Sequence, residues 1–197
     1  YILYGRYHEA NEEYLKALMF FAKAEDYEGW LRAVQKDVGV ALAVIEPKEV
    51  LDTMEKCPKS ILCGNPWAVL VLMRRLFTWR QIPKMLELKN MLIGYVKKST
   101  ELSDTEKGDI LGECDLIMSF LCYNDILAMS ALHRSASRQM SGPAMSIRTY
   151  GSWTFGSPSV LMMFHREPGK LPEELAAMNE SMPYYYRITD GHGQGAE

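Results

Sequence analysis

Four isolated histidines are the residues of this chain that most readily suggest chemistry. They are His8, His133, His165 and His192. None of them lies in an HExxH sequence, next to an aspartate partner or near a cysteine ligand. A zinc site or a general base needs partners at a short, regular spacing. We therefore interpret these histidines as ordinary surface or core residues, and we predict no metal site.

One pair of carboxylates has a spacing that could serve acid–base chemistry. Asp109 and Glu113 are four residues apart and would share one face of a helix. Lys107 and Asp115 lie close by in the sequence, which favours a solvated face instead. Walker, DDxxD and GxSxG sequences are absent, and residues 191–195 (GHGQG) lack the spacing of a dinucleotide loop. We predict no catalytic residue, no cofactor and no enzymatic activity.

The charge and hydropathy of the chain argue against DNA and membranes as direct partners. The net charge is −3, and the most basic stretch, 133–138, holds only two arginines, so we predict that this chain does not itself bind DNA. The longest apolar run is the seven residues 67–73, far below the roughly 20 that span a bilayer. Four cysteines without a CxxC pair are typical of reduced thiols. We expect a cytoplasmic location and no membrane contact.

The elements that must position these residues are predicted to be helices. Leu, Ala and Met number 50, against 26 for Val, Ile and Thr. Apolar residues at a three-and-four spacing predict helices joined by short turns, at about 7–24, 26–44, 47–58, 67–79, 84–98, 103–122, 126–140, 159–166 and 172–187. Short turns make neighbouring helices antiparallel. We predict an all-α fold of antiparallel helix pairs, stacked over 1–197 as a tetratricopeptide-like right-handed superhelix.

Local signals mark several helix starts and one especially buried helix. The predicted caps are Asp26, Asn65 before Pro66, the capping box Ser103–Glu106, and Asn124-Asp125. The helix at 67–79 is apolar nearly all round and should be the most buried. The helix at 84–98 should turn Met85, Leu88, Leu92 and Val96 inward.

Residues 141–156 break the helical pattern. They contain three glycines, a proline and two aromatic residues around Thr154, which predicts a long ordered loop between helix pairs. Trp153 and Phe155 either fill a gap between helices or contact a ligand, and packing is the favoured alternative. Our candidate effector or partner surface is Arg148, Tyr150, Trp153, Phe155, His165 and Tyr185.

Several sequence blocks resemble one protein family. They are 7–10 (YHEA) with 24–27 (AEDY), 50–58 (VLDTMEKCP), 65–70 (NPWAVL), 151–159 (GSWTFGSPS) and 190–197 (DGHGQGAE). Their order resembles the helical-repeat sensor region of LuxR-family transcriptional regulators with the MalT-like architecture. In that family an ATP-binding module precedes the superhelix and a DNA-binding helix-turn-helix follows it. Since this chain begins at Tyr1 and holds neither module, we interpret it as a fragment.

The resemblance implies an effector-sensing and self-association segment that acts by binding a small molecule or a protein. DNA would be contacted only through the domain that this chain lacks. A free-standing helical-repeat scaffold for a peptide or protein partner is the alternative, and an all-α enzyme is a third hypothesis that the motif search disfavours.

Overall fold

The computed structural model describes residues 1–122, 125–147 and 168–192. Over these ranges the chain is helical and has no β-strand, which confirms the all-α prediction. The α-helices of these ranges are α1 (Ile2–Ala10), α2 (Tyr14–Lys23), α3 (Tyr27–Lys36), α4 (Pro47–Lys56), α5 (Lys59–Gly64), α6 (Pro66–Thr78), α7 (Ile82–Lys98), α8 (Asp104–Ser119), α9 (Ile126–Gln139) and α10 (Leu171–Ile188). The predicted helix at 159–166 and the cap residue Asn124 lie outside them.

The chain divides into two compact units, Tyr1–Lys98 and Ser99–Glu197. In the first unit α1 packs on α2, α2 on α3, α3 on α6, and α6 on α7. In the second unit α9 packs on both α8 and α10. Helices that are neighbours in the sequence are therefore often neighbours in space, as the short turns predicted.

Three turns of the first unit share one geometry. Each has three residues between two helices, and the middle residue is left-handed: Glu12 (φ 58°), Glu25 (φ 53°) and Arg80 (φ 59°). The next residue donates its N–H to the carbonyl five positions earlier, over 2.8 to 3.0 Å. This is the Schellman cap, which satisfies carbonyls that the helix end leaves unpaired. The same cap thus ends α1, α2 and α6.

Two predicted helices were wrong in their extent. The stretch 7–24 is two helices, because the turn at Asn11–Glu13 separates α1 from α2. The helix predicted over 26–44 ends at Lys36, since Val38 (φ 52°) and Gly39 (φ 70°) are left-handed. The short α5, directly after Pro58, was not predicted.

The predicted caps are largely confirmed. Asp26 accepts from Gly29 N at 3.0 Å, and Asp125 accepts from Ala128 N at 2.9 Å. Ser103 and Glu106 form the capping box at the start of α8. Asn65 does precede α6, but its side-chain amide donates to Glu28 and to the Ile61 carbonyl of α5 and makes no capping bond to α6.

The core of the first unit is built around α6. Nine of its thirteen residues are buried, which confirms the prediction of an unusually buried helix. On α7 the buried residues are the four predicted ones, Met85, Leu88, Leu92 and Val96. None of the helices in the described ranges is both long and apolar enough to cross a membrane.

Candidate binding surface

Helix α1 carries large apolar side chains opposite its buried side. Gly5 and Glu9 are its buried residues, whereas Leu3 is 79% exposed and Tyr7 is 63% exposed. Leu3 and Tyr7 each lie two positions before a buried residue, which is about 200° around the helix. Tyr4, also exposed, lies beside them. We call Leu3, Tyr4 and Tyr7 the α1 face.

Ring stacking fixes one edge of the α1 face. The ring of Phe20 on α2 lies 5.5 Å from that of Tyr4 and 5.3 Å from the His8 ring, measured between centroids. Tyr1 stacks on the same ring at 6.3 Å, and Lys23 Nζ lies 4.4 Å from the Tyr1 centroid. A positive charge over an aromatic face is attractive. Tyr1 and Tyr4 are therefore held in place although they are exposed.

A buried ion pair fixes α1 from behind. The Glu9 carboxylate is 7% exposed and accepts two hydrogen bonds from the Arg32 guanidinium, at 2.8 and 2.7 Å. Lys36 Nζ lies 2.9 Å from the same carboxylate. Hydrogen bonds from Arg32, and then from Lys36, lower the pKa of Glu9 to about 2 against the cost of burial. Glu9 thus ties α1 to α3, and no local pattern in the sequence marks this contact, which joins residues 23 positions apart.

An open groove lies at the carboxyl end of α1. It has a volume of about 390 Å³ and is lined by residues 12–16 and by Asp37, Val40 and Ala41. Glu12 and Glu13 make this end acidic, although Glu13 is paired with His8 and Lys16. The α1 face therefore has Lys23 at one end and Glu12 at the other.

The only predicted surface residue in the described ranges is Tyr185; Arg148, Tyr150, Trp153, Phe155 and His165 lie outside them. The Tyr185 side chain is 1% exposed, and its hydroxyl is hydrogen-bonded to His192 Nδ1 at 2.9 Å. Tyr185 therefore packs inside the second unit instead of standing on its open surface.

Tyr185 belongs to a buried polar cluster with His133, Ser119 and His192. The Tyr185 and His133 ring centroids are 4.9 Å apart. Ser119 Oγ donates to the Leu116 carbonyl at 2.6 Å, so it accepts from His133 Nε2 at 2.8 Å. Burial lowers the pKa of His133 to about 4, which keeps the imidazole neutral. This arrangement ties α8 to α9, and it bears out the interpretation of His133 as a core histidine.

The interpretation of Asp109 and Glu113 as a solvated face was wrong for Glu113, whereas Asp109 stays partly exposed. Glu113 is 1% exposed, and its two carboxylate oxygens accept from the backbone N–H groups of Met145 and Ser146. Asp109 accepts from the N–H and hydroxyl of Ser141. These bonds clamp residues 141–146 onto α8, and the buried N–H of Ser146 would otherwise lack a partner.

No metal-binding group of three or more His, Cys, Asp or Glu residues occurs in the described part of the chain. The four cysteines are free thiols, and Cys57 and Cys114 are buried. Burial raises the pKa of Cys57 to about 11, so this thiol is protonated at neutral pH.

Comparison of the chain with protein-family models, curated proteins and solved structures gives no match.

Proposed function

We propose that this chain is a helical-repeat binding segment, and that it serves as the effector-sensing and self-association part of a cytoplasmic LuxR-family regulator of the MalT-like type. Its helix pairs would stack as a tetratricopeptide-like superhelix. The segment acts by binding and not by catalysis. The sequence blocks at 151–159 and 190–197 support the regulator assignment, and the repeated turn after α1, α2 and α6 supports the repeat assignment.

The α1 face is the observation that carries the binding role. A surface helix normally has one apolar side, packed on the core, and one polar side. Helix α1 is held by Gly5 and Glu9 on one side and still presents Leu3, Tyr4 and Tyr7 on the other. Adjacent exposed apolar residues of this size mark interaction surfaces. The same observation favours the alternative, a free-standing scaffold for a peptide or protein.

A thermal-shift screen of small metabolites tests the sensing role. A ligand that binds only the folded chain stabilises it and so raises its melting temperature. At a ligand concentration one hundred times the Kd, the stabilisation is about 2.7 kcal/mol. We expect at least one metabolite to produce a saturable rise in the melting temperature. A rise that is lost in the Trp153→Ala variant identifies a metabolite whose binding depends on the predicted loop. If no metabolite shifts the transition and none binds by calorimetry, small-molecule sensing is excluded.

DNA and ATP serve as the matched negative ligands. The chain carries a net charge of −3 and no Walker sequence. We expect no specific gel shift with duplex DNA at physiological salt, and no ATP turnover above background. Either activity in the purified chain would contradict a role limited to effector or protein binding.

A further inference from the structure

We propose that the α1 face binds the α1 face of a second copy of this chain, with the two helices antiparallel about a twofold axis. This names the partner for the self-association in the proposed function, and its biological meaning rests on that function. The contact itself rests on the side chains, charges and spacing of α1.

The apolar side chains of the α1 face can pack against the same side chains of a second copy. Leu3 is 79% exposed, and Tyr4 and Tyr7 are each more than 60% exposed. The Tyr4 ring is held against Phe20 by stacking, so less side-chain entropy is lost when a partner binds. In a twofold contact the same patch is used by both copies, and one aromatic row then packs on the other.

Charge selects the antiparallel orientation. Lys23 lies over the Tyr1 ring at the amino end of α1, and Glu12 lies just after its carboxyl end. Both side chains are exposed, and neither has an ion-pair partner among the described residues. An antiparallel copy places each Lys23 near a Glu12 of the other chain. In this orientation the two helix dipoles are also antiparallel, which is electrostatically favourable.

The spacing agrees with this orientation. Helix α1 spans eight helical steps from Ile2 to Ala10, about 12 Å, and Tyr1 and Glu12 lie just beyond its two ends. The midpoint between Tyr1 and Glu12 lies between residues 6 and 7, beside Tyr7 of the α1 face. One twofold axis there aligns both charged ends and places Tyr7 near the centre of the contact.

The small size of α1 limits the expected affinity of the dimer. A pair of nine-residue helices buries less surface than the roughly 1,200 Å² at the lower limit of standard interfaces. We therefore expect a reversible dimer with a micromolar Kd.

Sedimentation velocity from about 1 to about 500 µM chain tests the proposal. We expect the weight-average mass to rise from monomer towards dimer. Tyr7→Glu introduces a charge in the centre of the contact and should raise the dimer Kd at least about tenfold. Leu127→Glu is the matched control, since Leu127 is an exposed apolar residue of α9, and it should leave the Kd unchanged. Circular dichroism confirms that both variants fold.

A charge exchange tests the orientation. Lys23→Glu alone should weaken the dimer by opposing Glu12, and Lys23→Glu combined with Glu12→Lys should restore it. A monomer over the whole concentration range overturns the proposal. Equal effects of Tyr7→Glu and Leu127→Glu, or no rescue by the double exchange, overturn it as well. None of these outcomes changes the metabolite screen, so a failure here is distinct from a failure of the sensing role.

Discussion

Buried polar side chains hold distant segments of this chain together. Glu9 ties α1 to α3, His133 ties α9 to α8, and Glu113 holds the residues that follow α9. A buried carboxylate or imidazole is costly unless its hydrogen bonds are satisfied. Each of these contacts therefore fixes one segment in one place, and its loss should be measurable.

Removing the Glu113 carboxylate should release the segment after α9. In Glu113→Ala the N–H groups of Met145 and Ser146 lose their acceptor, and we expect a loss of about 2–4 kcal/mol in the free energy of unfolding. Urea titration measures that loss, and hydrogen exchange should show faster exchange at residues 141–147. Glu101→Ala, at an exposed position, is the control and should stay within about 0.5 kcal/mol of the parent. Unchanged exchange at 141–147 would contradict the clamp.

His133 should make the second unit less stable in mild acid. Its pKa falls from 6.5 to about 4 on folding, so the unfolded chain takes up the proton first. The stabilisation is complete above about pH 6.5 and is lost as the pH falls towards 4, by about 3 kcal/mol in total.

Urea titrations at several pH values between about 7 and 5 test this, with His133→Asn as the pH-insensitive reference. Glu9 does not interfere, because its lowered pKa makes its own contribution fall only below about 4.5. A parent protein with the same pH profile as His133→Asn would refute the prediction.

Residue roles were predictable from the sequence only when the partner is local. Asp26, Ser103 and Asp125 were assigned correctly because a cap bonds a backbone group two or three positions away. The contact of Glu9 with Arg32 and that of Glu113 with Ser146 join residues far apart in the chain. Spacing along one helix could not distinguish Glu113 from an exposed carboxylate.

At the scale of elements, helix ends were harder to predict than helix faces. The inward face of α7 follows directly from its apolar period. The turn after α1 was missed, because a left-handed cap usually has glycine and here has Glu12, whereas the turns at Glu25 and Arg80 lie between helices that were predicted. Without a glycine to mark the turn, the sequence from 7 to 24 resembles one helix.

Close packing of α1, α2 and α3 depends on two glycines that enclose Phe21. A Cβ atom at Gly5 would lie 2.6 Å from the Phe21 ring, and one at Gly29 would lie 2.7 Å from it. The ring is fully buried and cannot move away from both. The missing side chains are what let α1 approach α2.

Gly5→Ala should therefore destabilise the first unit, by about 1–3 kcal/mol, through overpacking against Phe21. Gly94→Ala is the matched control, because Gly94 lies inside α7 with no atom within 4 Å of its Cβ position. That change should stabilise the chain by about 0.5–1 kcal/mol through helix propensity. Thermal and urea unfolding measure both, and the two variants should shift in opposite directions. A neutral Gly5→Ala would contradict the packing described here.

At the scale of the whole molecule, the sequence predicted the helical class but not the division into two units. That division depends on which helices share a core, and long-range contacts such as α3 on α6 leave no periodic signal. Of the candidate surface residues only Tyr185 lies in the described ranges, and it is buried. The exposed aromatic residues of α1 were not predicted as a surface, because they resemble an ordinary helix face until Gly5 and Glu9 are known to be buried.

We propose that this chain works by binding through the α1 face, and hydrogen exchange at low and high protein concentration shows whether α1 is covered. We expect exchange at residues 2–10 to slow as the concentration rises, while exchange in α6, which is buried in the core, stays constant. Tyr7→Glu should abolish the concentration dependence. Exchange in α1 that is independent of concentration, or protection that develops on another helix instead, would contradict the account.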